Sequence, residues 1–546
     1  MRLATALLLI AALPGPLLTL PATAEEWPAD IVAEVASSHA EQAPAVVRGV
    51  VFVDANGNGR LDPGERRLGG VGITDGVTFV ETDADGAYEL VIQPDATIPW
   101  TPARTVSVSW PSGYWPVGRH WHRLSDIPDG QDAHFALRED QQTLPFAFSH
   151  ITDNHAAGAG YATYAQDLQR LGGLSKFVIS TGDLLYANYS PPAESLMRFR
   201  SLAANIEGAG FGVPFLAVPG NHDNTGTSAA EEIYDPAHPL FGHGVFTKLI
   251  GPVRWSFDYA GCHFVGLDWK RPTGDGERWE NTTPQEAVDW LKRDLARVPP
   301  GRRVFVFVHF PTGVPEFYEV IGRATMTFGG HNHRVEQYYY GGPSITALNL
   351  RGNGSSNIGI VTEDDFAVVT RCPGCKDRTY HSRLCGIGYR TTGRRPDAMP
   401  ARLAPIRGEP VELPAGPLGR RTVDAGGPGL EIEVRIELGT ARRAGLRIGE
   451  QEIVFDGEIL HVAGIPVPFK PWPEHENVLH LHVAASSGML VVYANELIRT
   501  HKPAVVGDAR RVTIFAEDGT ASLQSGQVRA LKEGVEEVLV NMGYKQ

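Results

Sequence analysis

Between Phe146 and Val335 five apolar stretches each stop on residues that can bind a metal ion, and this recurrence narrows the possible folds more than any other feature of the chain. "FAFSHI" runs into "TDNH" with Asp153 and His155, and "KFVIS" runs into "TGD" with Asp183. "PFLAV" is followed by "GNHD" with Asn221, His222 and Asp223, "VFVFVH" ends on His309, and "GGHNH" holds His331 and His333. Short apolar runs of this kind read as buried strands, and "TPQEAVDWLKRDLARV" between two of them reads as a helix, so a layered α/β domain is expected. In such a domain the ligand site lies beyond the carboxyl ends of the strands, where segments distant in sequence converge. A lone aspartate at a strand end usually caps a helix, and a lone histidine such as His243 or His263 is expected to be a hydrogen-bonded core residue. Five strand ends all bearing metal-type ligands call for a common site.

Carboxylate, imidazole and amide oxygen together suit first-row divalent ions such as zinc, iron or manganese. Asp183 is placed to bridge two of them, since a shared carboxylate offsets the repulsion of cations about 3.5–4 Å apart. The order Asp-x-His, Gly-Asp, Gly-Asn-His-Asp, His, Gly-His-x-His resembles the calcineurin-like metallophosphoesterases over about Phe146 to Val335. The resemblance implies that Asp153, His155, Asp183 and His333 hold one metal, and Asp183, Asn221, His309 and His331 the other. It further implies hydrolysis of phosphomonoesters or phosphodiesters by hydroxide formed on the metal pair. His222 would serve the leaving oxygen, with Asp223 as its orienting partner. One departure is Tyr186, three positions after Asp183, where the family often has an acidic residue.

The remaining sequence frames this domain. A basic start at Arg2, the apolar "LATALLLIAALPGPLLTL" and "ATA" at Ala22–Ala24 are expected to be a signal peptide over 1–24, making the mature chain secreted or periplasmic. No later run reaches the roughly 18 apolar residues of a spanning helix, so no transmembrane segment is expected. A chain of 546 residues exceeds one hydrophobic core. The expected division is an N-terminal β-sandwich over 45–140, the α/β domain over 146–370, a Cys/His segment over 371–390, a linker over 391–418 and a C-terminal β-sandwich over 419–546. The fold class is thus multidomain, a central α/β metallophosphoesterase sandwich flanked by two all-β sandwiches. Asp and Glu number 63 against 49 Lys and Arg, so the net charge of -14 offers nucleic acid no general attraction and disfavours a nuclease.

"DANGNGRLDPGE" fits a calcium loop at every fixed position: Asp54, Asn56, Asn58 and Asp62 offer side-chain oxygens, Arg60 its carbonyl and Glu65 a bidentate carboxylate. The strand-like "GVVFV" before it and Pro63 within it place the loop in a β-domain rather than between helices. An Asx-rich turn without a cation is the alternative. This region resembles the N-terminal domain of one bacterial branch of these phosphoesterases and the B-type repeats of surface adhesins, which implies a structural or positioning role. Trp100, Trp110, Trp115 and Trp121 fit a packed domain edge better than a sugar platform. "LHLHVAASSGMLVVYANELIRTHKPAV" resembles the C-terminal β-sandwich of family 32 glycoside hydrolases, a lectin-like accessory module. With the phosphoester substrate, a glycan or sugar phosphate is therefore a candidate partner. Cys372, Cys375, His381 and Cys385 have zinc-knuckle spacing, while export favours disulfides, so structural zinc and a disulfide both stand. Cys262 is expected to be an inert buried thiol. The rival to an enzyme is a noncatalytic surface or glycan-binding protein on the same scaffold, and its expected mark, a lost ligand, is absent from the sequence.

Overall fold

The computed structural model describes residues 28–38, 45–92, 105–128, 131–155, 161–162, 164–165, 175–188, 190–226, 238–272, 279–281, 283–310, 315–321, 324–331, 337–340, 342–346, 356–361, 363, 366–371, 388–389, 408–457, 460–467, 477–485, 490–494, 498–502 and 508–531. The expected signal peptide, Trp100, His333 and the Cys/His set Cys372, Cys375, His381 and Cys385 lie outside the described residues.

The middle of the chain is built as four layers, and strand periodicity shows why. Phe146–Ile151, Ser175–Ser180 and Phe215–Ala217 run parallel in one sheet, joined antiparallel by Ser356–Val361 and Phe366–Arg371. The second sheet pairs Trp255–Tyr259 antiparallel with Cys262–Leu267, followed in parallel by Val304–Val308, Met326–Gly329 and Gly342–Thr346. Parallel strands buried on both faces read as largely apolar runs, as "VFVFV" does; "FAFSHI" is buried throughout although it carries Ser149 and His150. Alternate side chains then go to opposite layers. Phe177, Ile179, Phe264, Phe305 and Phe307 meet between the sheets. Val178 lies under the helices Pro192–Gly208 and Gly244–Leu249 together with Leu196, Phe199 and Phe246. On the outer face of the second sheet, Val265, Val306 and Val308 pack with Val288, Trp290 and Leu291 of the helix Gln285–Ala296. That helix carries Glu286 in its first turn and Arg293 in its last, both matched to its dipole.

Upstream, two four-stranded sheets form the expected N-terminal β-sandwich, one of Ala87–Val91, Val46–Val53, Phe135–Glu139 and Tyr114–Pro116, the other of Phe79–Glu81, Gly72–Thr74, Thr105–Ser109 and Trp121–Arg123. Its core is continuous with the inter-sheet layer: Trp110 stacks on Phe257 at 4.5 Å and 8°, and Trp115 on Phe177 at 6.0 Å. These tryptophans pack at a domain edge, as their sequence context suggested. A helix not expected from the sequence, Ala29–Ser38, lies on Pro192–Gly208, where Arg200 pairs with Asp30 and Glu34. Among the described residues no helix is long and apolar enough to cross a membrane.

Downstream, the first central sheet does not stop at Phe366–Arg371. Val369 pairs with Thr500, and the ladder continues through Ile498–Lys502, Leu490–Ala494, Val478–Ala485, Gly429–Glu437 and Ala521–Leu531, giving a thirteen-stranded sheet. A second, six-stranded sheet from Arg420–Asp424 to Ile465–Val467 covers it. Along Gly429–Glu437 the alternation is plain: Leu430, Ile432, Val434 and Ile436 are buried, and Glu437 faces solvent. The expected linker is shorter than 391–418. Val411–Leu413 and Gly416–Leu418 both pair with Ala521–Leu531. Pro417 in the second of them is tolerated because an edge strand needs partners on one side only.

Candidate metal centre

Each expected ligand that the structure describes sits just past the end of a strand, and four of them adopt left-handed backbone: Asp153 (φ 52°), His155 (48°), Asp183 (52°) and His331 (72°). Such conformations cost free energy and persist where the surroundings enforce them. Here neighbouring strand ends clip one another. Asp153 N–H donates to the Gly182 carbonyl at 2.9 Å and His155 N–H to the Asp183 carbonyl at 2.9 Å. Two glycines make room: a Cβ on Gly220 would lie 2.2 Å from Asp183 Oδ1, and one on Gly330 would lie 2.4 Å from Asp153 Oδ2.

Asp183 occupies the middle. Its Oδ2 lies 3.3 Å from His309 Nε2, 3.8 Å from His155 Nε2 and 4.0 Å from His222 Nε2, while Oδ1 accepts the His222 backbone N–H at 2.8 Å. Burial alone would raise its pKa, but the imidazoles of His309, His222 and His155 hold it well below the ordinary carboxylate range. Asn221 Oδ1 lies 3.0 Å from both His309 Nε2 and His331 Nδ1. Asp153 accepts the His331 backbone N–H on both oxygens, at 3.0 and 2.9 Å, and its Oδ1 lies 4.0 Å from His155 Nε2. His309 Nδ1 donates to the Thr181 carbonyl at 2.8 Å, which turns Nε2 inward. His331, by contrast, has its pKa pushed down to about 4, by burial first and then by His309.

The donor atoms fall into two groups, His155–Asp183–His222 and Asp183–His309–His331, with atoms within 4.8 Å of one another in each and Asp183 common to both. Carboxylate and imidazole donors packed this closely among mostly buried residues fit divalent cations, which would meet the charge demand of Asp183 that His309 otherwise meets by holding a proton. Residues 146–335 match the family model of the calcineurin-like phosphoesterases. The middle of this chain is a calcineurin-like phosphoesterase domain. It makes the protein a metal-dependent phosphoester hydrolase. No curated protein matches the chain by sequence. Among solved structures, a dimetal phosphatase from Danio rerio is 15% identical over 42% of this chain and 96% of its own, with a TM-score of 0.29. GAP50, the anchor in the inner membrane complex of Plasmodium, is 10% identical over 47% of this chain and 91% of its own, with a TM-score of 0.31. A beta-fructofuranosidase from Aspergillus kawachii is 12% identical over 23% of this chain and 28% of its own, with a TM-score of 0.16.

One expectation for the phosphoesterase site needs correction. Asp223 does not orient His222: its Oδ2 accepts the Gly220 N–H at 2.8 Å and its Oδ1 those of Leu184 and Leu185 at 2.9 and 3.3 Å. Burial and then Asp183 push its pKa up to about 7. It fastens the Gly220 turn to the Asp183 turn. The residue at His222 Nδ1 is Asn188, whose Oδ1 accepts at 2.8 Å. Backbone clips hold the pair together, since the N–H groups of Ala187 and Asn188 both donate to the His222 carbonyl. Tyr186, noted in the sequence only as a departure, stacks on His155 at 4.2 Å and 10° and meets His222 edge-on at 4.5 Å. Trp269, which belongs to no motif, lies 4.8 Å from the His331 ring and 5.2 Å from the His309 ring. His263 is the core residue expected, bridging Asp258 and Asp294 at 2.7 Å each, and His243 is buried at the start of Gly244–Leu249. Cys262 is buried, and burial pushes its thiol up to about 11.

In the N-terminal sandwich the twelve-residue loop closes on itself. Buried Asp54 accepts the N–H groups of Gly57 and Asn58 on Oδ1 and of Gly59 on Oδ2. Glu65 folds back to accept from Ala55 and Asp62, and both Asn56 and Asn58 donate to Asp62 Oδ2 at 2.8 Å. Gly59 takes the sharp turn with φ 71°.

Proposed function

We propose that the chain is an exported hydrolase of phosphomonoesters or phosphodiesters working with two divalent transition-metal ions, zinc, manganese or iron. The observation that carries this reading is the carboxylate of Asp183, which belongs to both donor groups at once. Asp153, His155 and Asp183 with His333 would hold one ion, and Asp183, Asn221, His309 and His331 the other. Bound there, the ions would supply Lewis acidity toward a water and toward the phosphoryl oxygens. The remaining work falls to the chain. Thr181 fixes the His309 tautomer, and Asp223 holds the turn carrying Asn221 against the one carrying Asp183. His222, when protonated, keeps its Nδ1 proton on Asn188 and delivers the Nε2 proton to the leaving oxygen.

Residues 54–65 are the calcium site of this reading, supported by the buried Asp54, the left-handed Gly59 and the inward-folded Glu65. The first 24 residues support export. Sugar phosphates and glycan-linked phosphoesters are the first substrates to test, because the C-terminal segment resembles a lectin-like module. The test is metal-reconstituted mature protein assayed against sugar phosphates, nucleotides, lipid head groups and phosphodiesters, with metal content measured in parallel. Two ions per chain and turnover that disappears on chelation are expected. Turnover that survives complete metal removal would overturn the proposal.

A further inference from the structure

We infer that the N-terminal β-sandwich is part of the catalytic architecture: through Gly76, Arg254 and Asp268 it holds Trp269 as a positioning residue against the imidazoles of His309 and His331. The inference rests on the metal-centre reading above. Trp269 is fully buried, and its indole lies against both rings, tilted at 51° to His331 and 61° to His309. A rigid bicyclic ring in that place restricts rotation of two imidazoles at once, so their donor atoms stay where Asp183 and Asn221 need them.

Trp269 directly follows Asp268, which is fully buried and takes a two-pronged hydrogen bond from Arg254, at 2.6 Å from Nε and 3.1 Å from Nη2. A buried ion pair is costly unless its remaining donors are satisfied. The Nη1 donor of Arg254 reaches the Gly76 carbonyl at 2.9 Å, in a turn of the N-terminal sandwich. That turn is itself fixed. Asp75 Oδ1 accepts the N–H groups of Val77 and Thr78, Trp290 Nε1 donates to Thr74 Oγ1 at 2.9 Å, and Arg293 donates to the Val77 carbonyl. Gly76 sits at φ 85°, a conformation that suits glycine. The turn, the ion pair and the indole therefore form an unbroken column from the accessory sandwich to two candidate ligands.

Zinc titration of the chelated, full-length protein tests this, read by calorimetry and by metal content. His331→Ala marks which of the two zinc sites belongs to this wall. In Trp269→Leu that same site should weaken between about ten- and a hundredfold, while the other keeps wild-type affinity. Trp269→Phe, which keeps a flat ring, should stay within a few-fold of wild type. Arg254→Met combined with Asp268→Asn, which removes both charges together, should reproduce the loss at the same site. If Trp269→Leu fails to fold, the phenylalanine and double variants carry the test. Wild-type zinc affinities in the double variant, or in Trp269→Leu, would overturn the inference while leaving the two-metal reading intact. Fewer than two zinc ions on the wild-type protein would overturn that reading and this inference with it.

Discussion

Raising the pH should remove a specific part of this protein's stability through His263. The ring lies between two carboxylates, 2.7 Å from Asp258 Oδ1 and 2.7 Å from Asp294 Oδ2, with its side chain 5% exposed. Asp294 also accepts from Ser256, itself hydrogen-bonded to Ser109 of the N-terminal sandwich, and Asp258 pairs with Arg302. Burial alone would push the imidazole down, but the charge of Asp294 and the hydrogen bonds to both carboxylates outweigh it and raise the pKa to about 9. Because the folded value lies above the ordinary value of 6.5, the contribution is complete below about pH 6.5 and lost as pH climbs through about 9. At about 1.4 kcal/mol per pH unit the interval corresponds to about 3 kcal/mol. The assay is denaturant unfolding of the wild type and His263→Gln at pH 6, 7.5 and 9.5. The advantage of the wild type should shrink by about 3 kcal/mol across the range. A wild-type advantage that stays constant with pH would show that the ring is not charged in the folded protein.

Three further outcomes follow from the sites. Asp183→Asn should bring metal content below two ions per chain and abolish turnover, because the amide lacks the charge that offsets two cations; elemental analysis beside a rate assay decides. His222→Asn should retain both ions and lose about 10²- to 10⁴-fold in rate on an alkyl phosphoester while losing far less on a nitrophenyl one. Equal losses on the two substrates would assign His222 to phosphate positioning instead. Asp54→Ala should abolish the calcium-dependent rise in melting temperature while leaving turnover per folded molecule unchanged, and an undiminished calcium response would sink the loop assignment.

What could be read from the sequence was whatever the chemistry confines to a few consecutive residues. "TDNH", "TGD", "GNHD" and "GGH" place their ligands directly after strands, and a strand end fixes its next residues in space. Reading Asp223 failed where adjacency in sequence was taken for adjacency in space. After Gly220 the chain turns so that His222 faces Asp183 and Asp223 faces the backbone of Leu184. Trp269 also follows a strand end, that of Cys262–Leu267, but an indole is no metal ligand, and its relation to His309 and His331 exists only through strand packing. The strands Val411–Leu413 and Gly416–Leu418 were hidden by Pro410 and Pro414, which flank the first, and Pro417, which lies in the second; prolines suit a sheet edge as well as a linker.

The thirteen-stranded sheet has a practical meaning for anyone shortening this chain. Phe366–Arg371 takes its neighbours from two sides, Ser356–Val361 on one and Ile498–Lys502 with Gly388–Tyr389 on the other. A protein ended at residue 390 to isolate the hydrolase would keep only the pairs Phe366–Tyr389 and Ala367–Gly388 on that second side. The backbone groups of "VVTR" would then form a raw edge rich in β-branched residues, the kind of surface that recruits other chains. Insolubility of such a fragment would report a severed sheet and not a defective catalytic fold, and the sound place to divide this protein is not where its catalytic motifs end.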